Sequence, residues 1–385
     1  MDDIRRSRQL LSITIVFFWA SEYCHVPYFA PYLQTLGFAA TMIGIITGIY
    51  GFTQLIVRIP MGVITDARSC YKTTILIGTV FTTVSSFGLI FARSAFSILF
   101  FRMLAGVAAS TWLAFTVLYN AYYQADESVT AMTNVNAFNN GGKFIAFILG
   151  LVTASIWGYR IPLVCSFLTG LVAIFFAIQL KPIPLKRESF RIEHITSVIT
   201  NPAVLVASLF GIVLQGYTQA TVFSFTSAIA RSLGANPIEI GASTLIYTVI
   251  QVLAAGFIGK KLLKRLPIAQ ALALGFALFA ASALSIGLAN SMIPIYIGQI
   301  LAGFANLMLV ALLMAMIVSH IPQEKQSTAM GFYQAIYGIG MAAGPVLVGT
   351  IVSFHGYRSA YLAVAGITLA ASLLSYILAS RYVKK

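Results

Sequence analysis

Charge is what this chain has least of. Asp, Glu, Lys and Arg make up 9% of its 385 residues, where a soluble protein carries about 25%. So few polar groups cannot coat a molecule of this size, which excludes a soluble protein and leaves an integral membrane protein. Acids are scarcest, 10 against 24 basic residues. Cysteine is nearly absent too: Cys24, Cys70 and Cys165 are far apart, without the spacing of a disulfide framework or a zinc site. They read as small apolar residues. The alternating ten-residue pattern of a membrane barrel is missing. So is a phosphate loop. The nearest approach, Gly256-Phe257-Ile258-Gly259-Lys260-Lys261, has the wrong spacing and no Ser or Thr after the Lys. No stretch is long enough for a nucleotide-binding domain. The sequence therefore argues against an enzyme or an ATP-driven pump, and calls for no cofactor and no metal.

What the chain has in abundance is long apolar runs. They fall at about 10–33, 40–63, 73–92, 95–119, 134–156, 160–180, 202–229, 238–259, 267–289, 292–318, 328–353 and 358–380. Each is long enough for a helix to cross a bilayer. The first is too long for a signal-peptide core, and no small-x-small cleavage site follows it. The expected fold is all-α, with twelve transmembrane helices in two pseudo-symmetric six-helix bundles. The bundles cover 1–180 and 202–385, joined by a basic linker at 181–201.

The basic residues set the orientation. With the N-terminus inside, 17 of the 24 fall on the cytoplasmic side: Arg5, Arg6, Arg8, Arg68, Lys72, Lys181, Lys186, Arg187, Arg191, Lys260, Lys261, Lys264, Arg265, Lys325, Arg381, Lys384 and Lys385. Four, Arg93, Arg160, Arg231 and Arg358, fall opposite. This bias predicts a multi-pass protein of the inner (cytoplasmic) membrane with both termini cytoplasmic. It also explains the net charge of +14 as a topology signal, so no nucleic-acid partner is expected.

The halves repeat at an offset of 197 or 198. Leu36-Gly37 matches Leu233-Gly234, Ile43-Gly44 matches Ile240-Gly241, and Tyr50 and Gln54 match Tyr247 and Gln251. Leu104-Ala105-Gly106 matches Leu301-Ala302-Gly303, Thr130-Ala131-Met132 matches Thr328-Ala329-Met330, and Gly158-Tyr159-Arg160 matches Gly356-Tyr357-Arg358. An even number of spans per half makes the repeats parallel, an arrangement that holds substrate between the halves and works by rocking.

Two motifs extend this pattern. Gly62-Val63-Ile64-Thr65-Asp66-Ala67-Arg68-Ser69 follows the second run, and Arg102-Met103-Leu104-Ala105-Gly106 lies in the fourth. Together with the six-plus-six repeat, they resemble the major facilitator superfamily over the whole chain. The resemblance implies a secondary transporter. It implies that Gly62, Asp66 and Arg68 form a conformational latch, and that Arg102 serves proton transfer or tunes an acid on the first helix. One departure stands out. Family exporters of the drug–proton antiporter type carry Gly-x-x-x-Gly-Pro on helix 5, where this chain has Asn139-Asn140-Gly141-Gly142-Lys143-Phe144 and no Pro.

Glu22 lies near the middle of the first run, where an ionised carboxylate costs several kcal/mol. It reads either as the site of a coupling proton, with His25 one turn on, or as half of a static ion pair. Its repeat mate is Gln219, so the acid belongs to one half alone. Lys143 lies at mid-depth in the fifth run. One acid cannot neutralise both Arg102 and Lys143, so a shared cavity would favour a carboxylate or phosphate on the solute. Asn136, Asn139, Asn140, Tyr28, Gln215, Gln219, Gln251, Gln299, Tyr333 and Tyr337 complete the candidate substrate lining. Pro27 and Pro31 weaken the first helix beyond Glu22. The expected function is proton-coupled transport of a small organic solute by alternating access, the solute being anionic where the two cations share a cavity. Its partners are that solute, protons and the lipid bilayer, and the working unit is a monomer. The alternative is drug or metabolite efflux by proton antiport.

Overall fold

The computed structural model describes residues 2–124, 127–181, 198–257 and 266–382. Most of the basic linker (182–197), the basic cluster Lys260, Lys261, Lys264 and Arg265, and Lys384 and Lys385 lie outside the described residues. Among the described residues every long element is helical, as lipid demands: with no water to satisfy backbone N–H and C=O groups, a lone span must bond them internally. Among the described residues eleven helical stretches are long and apolar enough to cross a membrane. The last, Thr328–Ser380, contains Gly356 at φ 78°, where two spans meet without an intervening loop, so the spans number twelve.

The first span is α1 (Asp2–Tyr23) and α2 (Val26–Thr35). The second to sixth are α3 (Ala40–Arg68), α4 (Tyr71–Phe91), α5 (Ala95–Ser110) with α6 (Trp112–Asn120), α7 (Ser128–Trp157) and α8 (Ile161–Ile178). The seventh joins α9 (Pro202–Tyr217), a π-helical stretch (Thr218–Phe225) and α10 (Thr226–Ser232). Then come α11 (Pro237–Phe257), α12 (Ile268–Gly287), α13 (Met292–His320) and the double span α14 (Gln323–Tyr382). Side chains such as Phe96, Trp157, Phe175, Leu253 and Phe354 stand exposed, as a lipid-facing surface requires.

The chain forms two compact units. One comprises Met1–Tyr32 and Thr53–Phe190; the other comprises Leu33–Phe52 and Arg191–Lys385. Within the second unit, residues of 33–52 are tied to the double span. Gln34 Nε2 donates to the Tyr357 hydroxyl (2.8 Å), and the Thr41 amide donates to Ser353 Oγ (2.9 Å).

The sequence repeat is a structural repeat. Among the described residues the four glycines at positive φ form two pairs at the repeat offset: Gly37 (82°) with Gly234 (85°), and Gly158 (87°) with Gly356 (78°). Each sits where a span ends, in a conformation that a Cβ disfavours. Ser85 Oγ donates to the Phe101 carbonyl at 2.7 Å, and Ser282 Oγ, 197 positions on, donates to the Gly298 carbonyl at 2.7 Å. Gly142 of α7 lies directly on the Val16 carbonyl of α1, and its mate Gly340 of α14 lies on the Ile212 carbonyl of α9. Small residues at these crossings let backbones touch, which is how helices associate without a hydrophobic drive between them.

Candidate functional site

The polar side chains of the first unit gather around a break in the first span. Pro27 lacks the N–H that would bond back to Tyr23, so α1 stops there and α2 resumes at Val26. Cys24 and His25 occupy the gap. Glu22, at the last turn of α1, is buried (3% exposed), as are His25 and Arg102. His25 is held from two sides. Its Nδ1 lies 3.0 Å from Ser166 Oγ of α8, and its Nε2 lies 3.5 Å from an Arg102 Nη of α5. The Arg102 guanidinium is 5.1 Å from the Phe29 ring centroid, and the His25 ring meets the same phenyl edge-on. Ser21 Oγ donates to the Ser166 carbonyl (2.7 Å), a second tie between the first and sixth spans.

Lys143 stands apart from this cluster. It lies midway along α7, and its ammonium sits over two rings of α1, 4.7 Å from the Trp19 centroid and 4.8 Å from that of Tyr23. Trp19 is packed in turn against Trp112, and Tyr23 against Phe147. Among the described residues no carboxylate lies against this ammonium; aromatic faces are its partners. Such faces offer about 2 kcal/mol when desolvated, less than a carboxylate in the same place. Trp19 and Ser166 are absent from the sequence-derived site, whereas Tyr23 is among the aromatic groups that suggest an amphipathic pocket. Trp19 and Tyr23, four apart on the helix that carries Glu22, share a face and were a usable signal; nothing in the sequence marks Ser166.

The other α7 candidates divide. Asn139 is buried, while Asn136 and Asn140 are at the surface, with Asn136 Nδ2 bonded to the Met132 carbonyl of its own helix (2.8 Å). Tyr28 is fully buried and stacks on Tyr159 with centroids 6.1 Å apart. At the proposed latch, Gly62 is buried against Leu113, Asp66 accepts a 2.9 Å hydrogen bond from the Tyr71 hydroxyl, and Arg68 is exposed. Arg58, near the same end of α3, donates to Gln54 Oε1.

The second unit carries amides where the first carries charge. Gln251 Nε2 donates to Asn306 Oδ1 (3.2 Å), and Asn306 Nδ2 donates to Thr218 Oγ1 (2.9 Å). This chain links the eighth, tenth and seventh spans at the start of the π-helical stretch, a wide turn of the kind found at functional positions. Gln219 is buried within that stretch, and Gln215 is half-buried one turn before it. Gln299, the repeat mate of Arg102, is completely buried, and neither amide atom has a hydrogen-bond partner among the described residues. Tyr333 is buried and meets the half-exposed Tyr337 edge-on at 5.2 Å.

Known proteins show the same build. An uncharacterized MFS-type transporter of Methanocaldococcus jannaschii is 22% identical over 91% of this chain and 92% of its own length. One from Mycobacterium tuberculosis is 24% identical over 86% of this chain and 82% of its own. Among solved structures, the nucleoside transporter NupG superposes with a TM-score of 0.80 at 13% identity, covering 98% of this chain and 99% of that one. A bacterial homolog of the human lysosomal transporter Spinster superposes at 0.77 with 15% identity, covering 97% and 96%. These structural likenesses concern the fold. The sequence profile of the Major Facilitator Superfamily matches residues 11–228 and 208–385, nearly the whole chain. Twelve spans, a parallel repeat and a profile match in each half establish that the chain is a non-enzymatic membrane transporter belonging to the major facilitator superfamily.

Proposed function

We propose that the chain is a proton-coupled secondary transporter of a small organic anion, working in the cytoplasmic membrane with both termini in the cytoplasm. Lys143 carries the reading. An ammonium at the middle of a span costs several kcal/mol unless it is compensated, and the rings of Trp19 and Tyr23 compensate it only in part. A solute carboxylate or phosphate supplies the missing charge. Glu22 is the proton carrier, with His25 and Arg102 beside it on the broken first span. The asymmetry between Glu22 and its mate Gln219 supports a single protonation centre.

Purified protein in liposomes tests this. Uptake of an organic anion driven by a pH gradient is expected to collapse in Glu22→Gln, while solute exchange at equal pH survives. Coupled uptake untouched by Glu22→Gln would sink the proton role. Lys143→Met is expected to weaken anion binding at least tenfold by isothermal titration, the loss of one charge-assisted contact of about 1.5–3 kcal/mol.

The aromatic wall of Trp19, Tyr23, Trp112 and Phe147 favours a second reading, efflux of an amphipathic compound by proton antiport. Inverted vesicles separate the two. Proton-driven accumulation of an uncharged aromatic dye, unaffected by Lys143→Met, would favour efflux.

A further inference from the structure

Two thiols meet in the first unit, and the transport chemistry above uses neither. Cys24 is buried in the break between α1 and α2, and Cys165 lies half-exposed on α8. The two thiols are close enough to interact, and the Thr153 side chain of α7 is a further neighbour of Cys165. Independent contacts on every side fix this approach. The next residue along each helix is also joined, His25 Nδ1 to Ser166 Oγ at 3.0 Å, and Ser21 Oγ reaches the Ser166 carbonyl at 2.7 Å. From the third side, Gly150 of α7, one turn before Thr153, packs on the Cys24 carbonyl. Three helices thus close around the two thiols.

The surroundings decide the chemistry. Among the described residues no third Cys, His, Asp or Glu joins the pair to make a metal site. The adjacent His25 ring is occupied, with Nδ1 at Ser166 and Nε2 at Arg102. Two neighbouring thiols with nothing else to bind are suited to thiol–disulfide exchange.

We propose that Cys24 and Cys165 form a dithiol modification site that small disulfides oxidise to an intramolecular disulfide, pinning the break in the first span to α8. The step balances. Cys165, the half-exposed thiol, loses its proton and attacks one sulfur of the reagent, releasing the first reagent thiol and leaving a mixed disulfide. Cys24 then loses its proton and attacks the Cys165 sulfur, which expels the second reagent thiol. Two cysteines are oxidised by two electrons, and one disulfide is reduced to two thiols.

The test uses the full chain in nanodiscs with Cys70→Ser as background, so that only the pair can respond. The reagent is 2,2′-dipyridyl disulfide, whose thione product is read by absorbance. The expected result is two thiones released per protein, an intact mass lower by two hydrogens with no pyridyl group retained, and a non-reduced peptide joining residues 24 and 165. With Cys24→Ser added, one thione is released and one pyridyl group stays on the protein. With Cys165→Ser added, the buried Cys24 does not react. Two retained pyridyl groups, or no reaction of the intact pair, would overturn the proposal. Transport reads the pinning. The oxidised protein is expected to lose about tenfold in rate, because the break can no longer move, and to recover it on reduction. A disulfide proven by mass with transport unchanged overturns the pinning. The mass readout does not depend on which solute is carried, so an error in the proposed substrate leaves it standing.

Discussion

The two halves of this transporter share a scaffold and differ in what they bury. Matched glycines end matched spans, Ser85 and Ser282 cross-link the same pair of helices at the same length, and Gly142 and Gly340 seat the same crossing. Against that common frame, Glu22 has Gln219 as its repeat mate, and Arg102 has Gln299. Beyond residue 201 the sequence has just two acids, Glu239 and Glu324, both near the start of a helix and none at mid-span. The difference teaches that packing and ion chemistry are separable in this chain. The scaffold was kept twice, and the ionisable centre is found in one copy.

The sharpest way to break the comparison is to make the first half resemble the second. Glu22→Gln and Arg102→Gln each install the residue of the repeat mate. Both are expected to cut proton-driven transport by about 100-fold or more in proteoliposomes, the scale of a lost proton-transfer group. If the two residues act as one unit, the double variant is no worse than either single, whereas additive losses would mean independent roles. The reverse change tests the second half. Gln299→Arg places a guanidinium in a fully buried position with no mid-span acid to meet it. A loss of about 3–5 kcal/mol is expected, seen as a lowered Tm. Gln299→Leu removes an amide that lacks a partner among the described residues and should raise Tm slightly, a gain of about 1 kcal/mol.

The outcomes bear on how far a sequence can be read. Hydrophobic length and two-fold repetition revealed all twelve spans, since each span must be apolar along its whole length and each half reuses one plan. The break at residues 24 and 25 was foreshadowed by Pro27. The π-helical stretch at Thr218–Phe225 was not, because its sequence carries no proline or glycine to mark a widened turn. Nor was the pairing of His25 with Ser166 or the cage of Trp19 and Tyr23 around Lys143. Those depend on which face each helix turns to its neighbours, which an all-round apolar helix does not encode in periodicity. The one-sided acid was legible, while its surroundings had to be seen.

A scaffold kept twice should also fail in the same way twice. Gly142→Ala and Gly340→Ala each push a methyl group into a backbone carbonyl of the neighbouring helix, Val16 in one half and Ile212 in the other. Neither carbonyl can rotate away, so the helices must separate. A loss of about 1–3 kcal/mol is expected from each, read as a fall in Tm. Unequal losses would show that one half tolerates a looser crossing.

The finest test lies at the paired serines, where the comparison predicts a small inequality. Ser85→Ala removes one donor from the Phe101 carbonyl, a net loss of about 1 kcal/mol, since that carbonyl keeps its helical bond. Ser282→Ala removes the equivalent donor from Gly298, and something more. The buried Tyr217 hydroxyl donates to Ser282 Oγ at 2.7 Å, and Tyr217 lies against Phe279 with ring centroids 3.9 Å apart, so the phenol cannot readily turn elsewhere. The serine change strands that hydroxyl, adding about 1–3 kcal/mol. Ser282→Ala should therefore lower Tm more than Ser85→Ala. Adding Tyr217→Phe to both should bring them level, because the stranded group is then gone. If the gap persists with Tyr217→Phe in place, the extra cost lies in the packing of the second half and not in its hydroxyl.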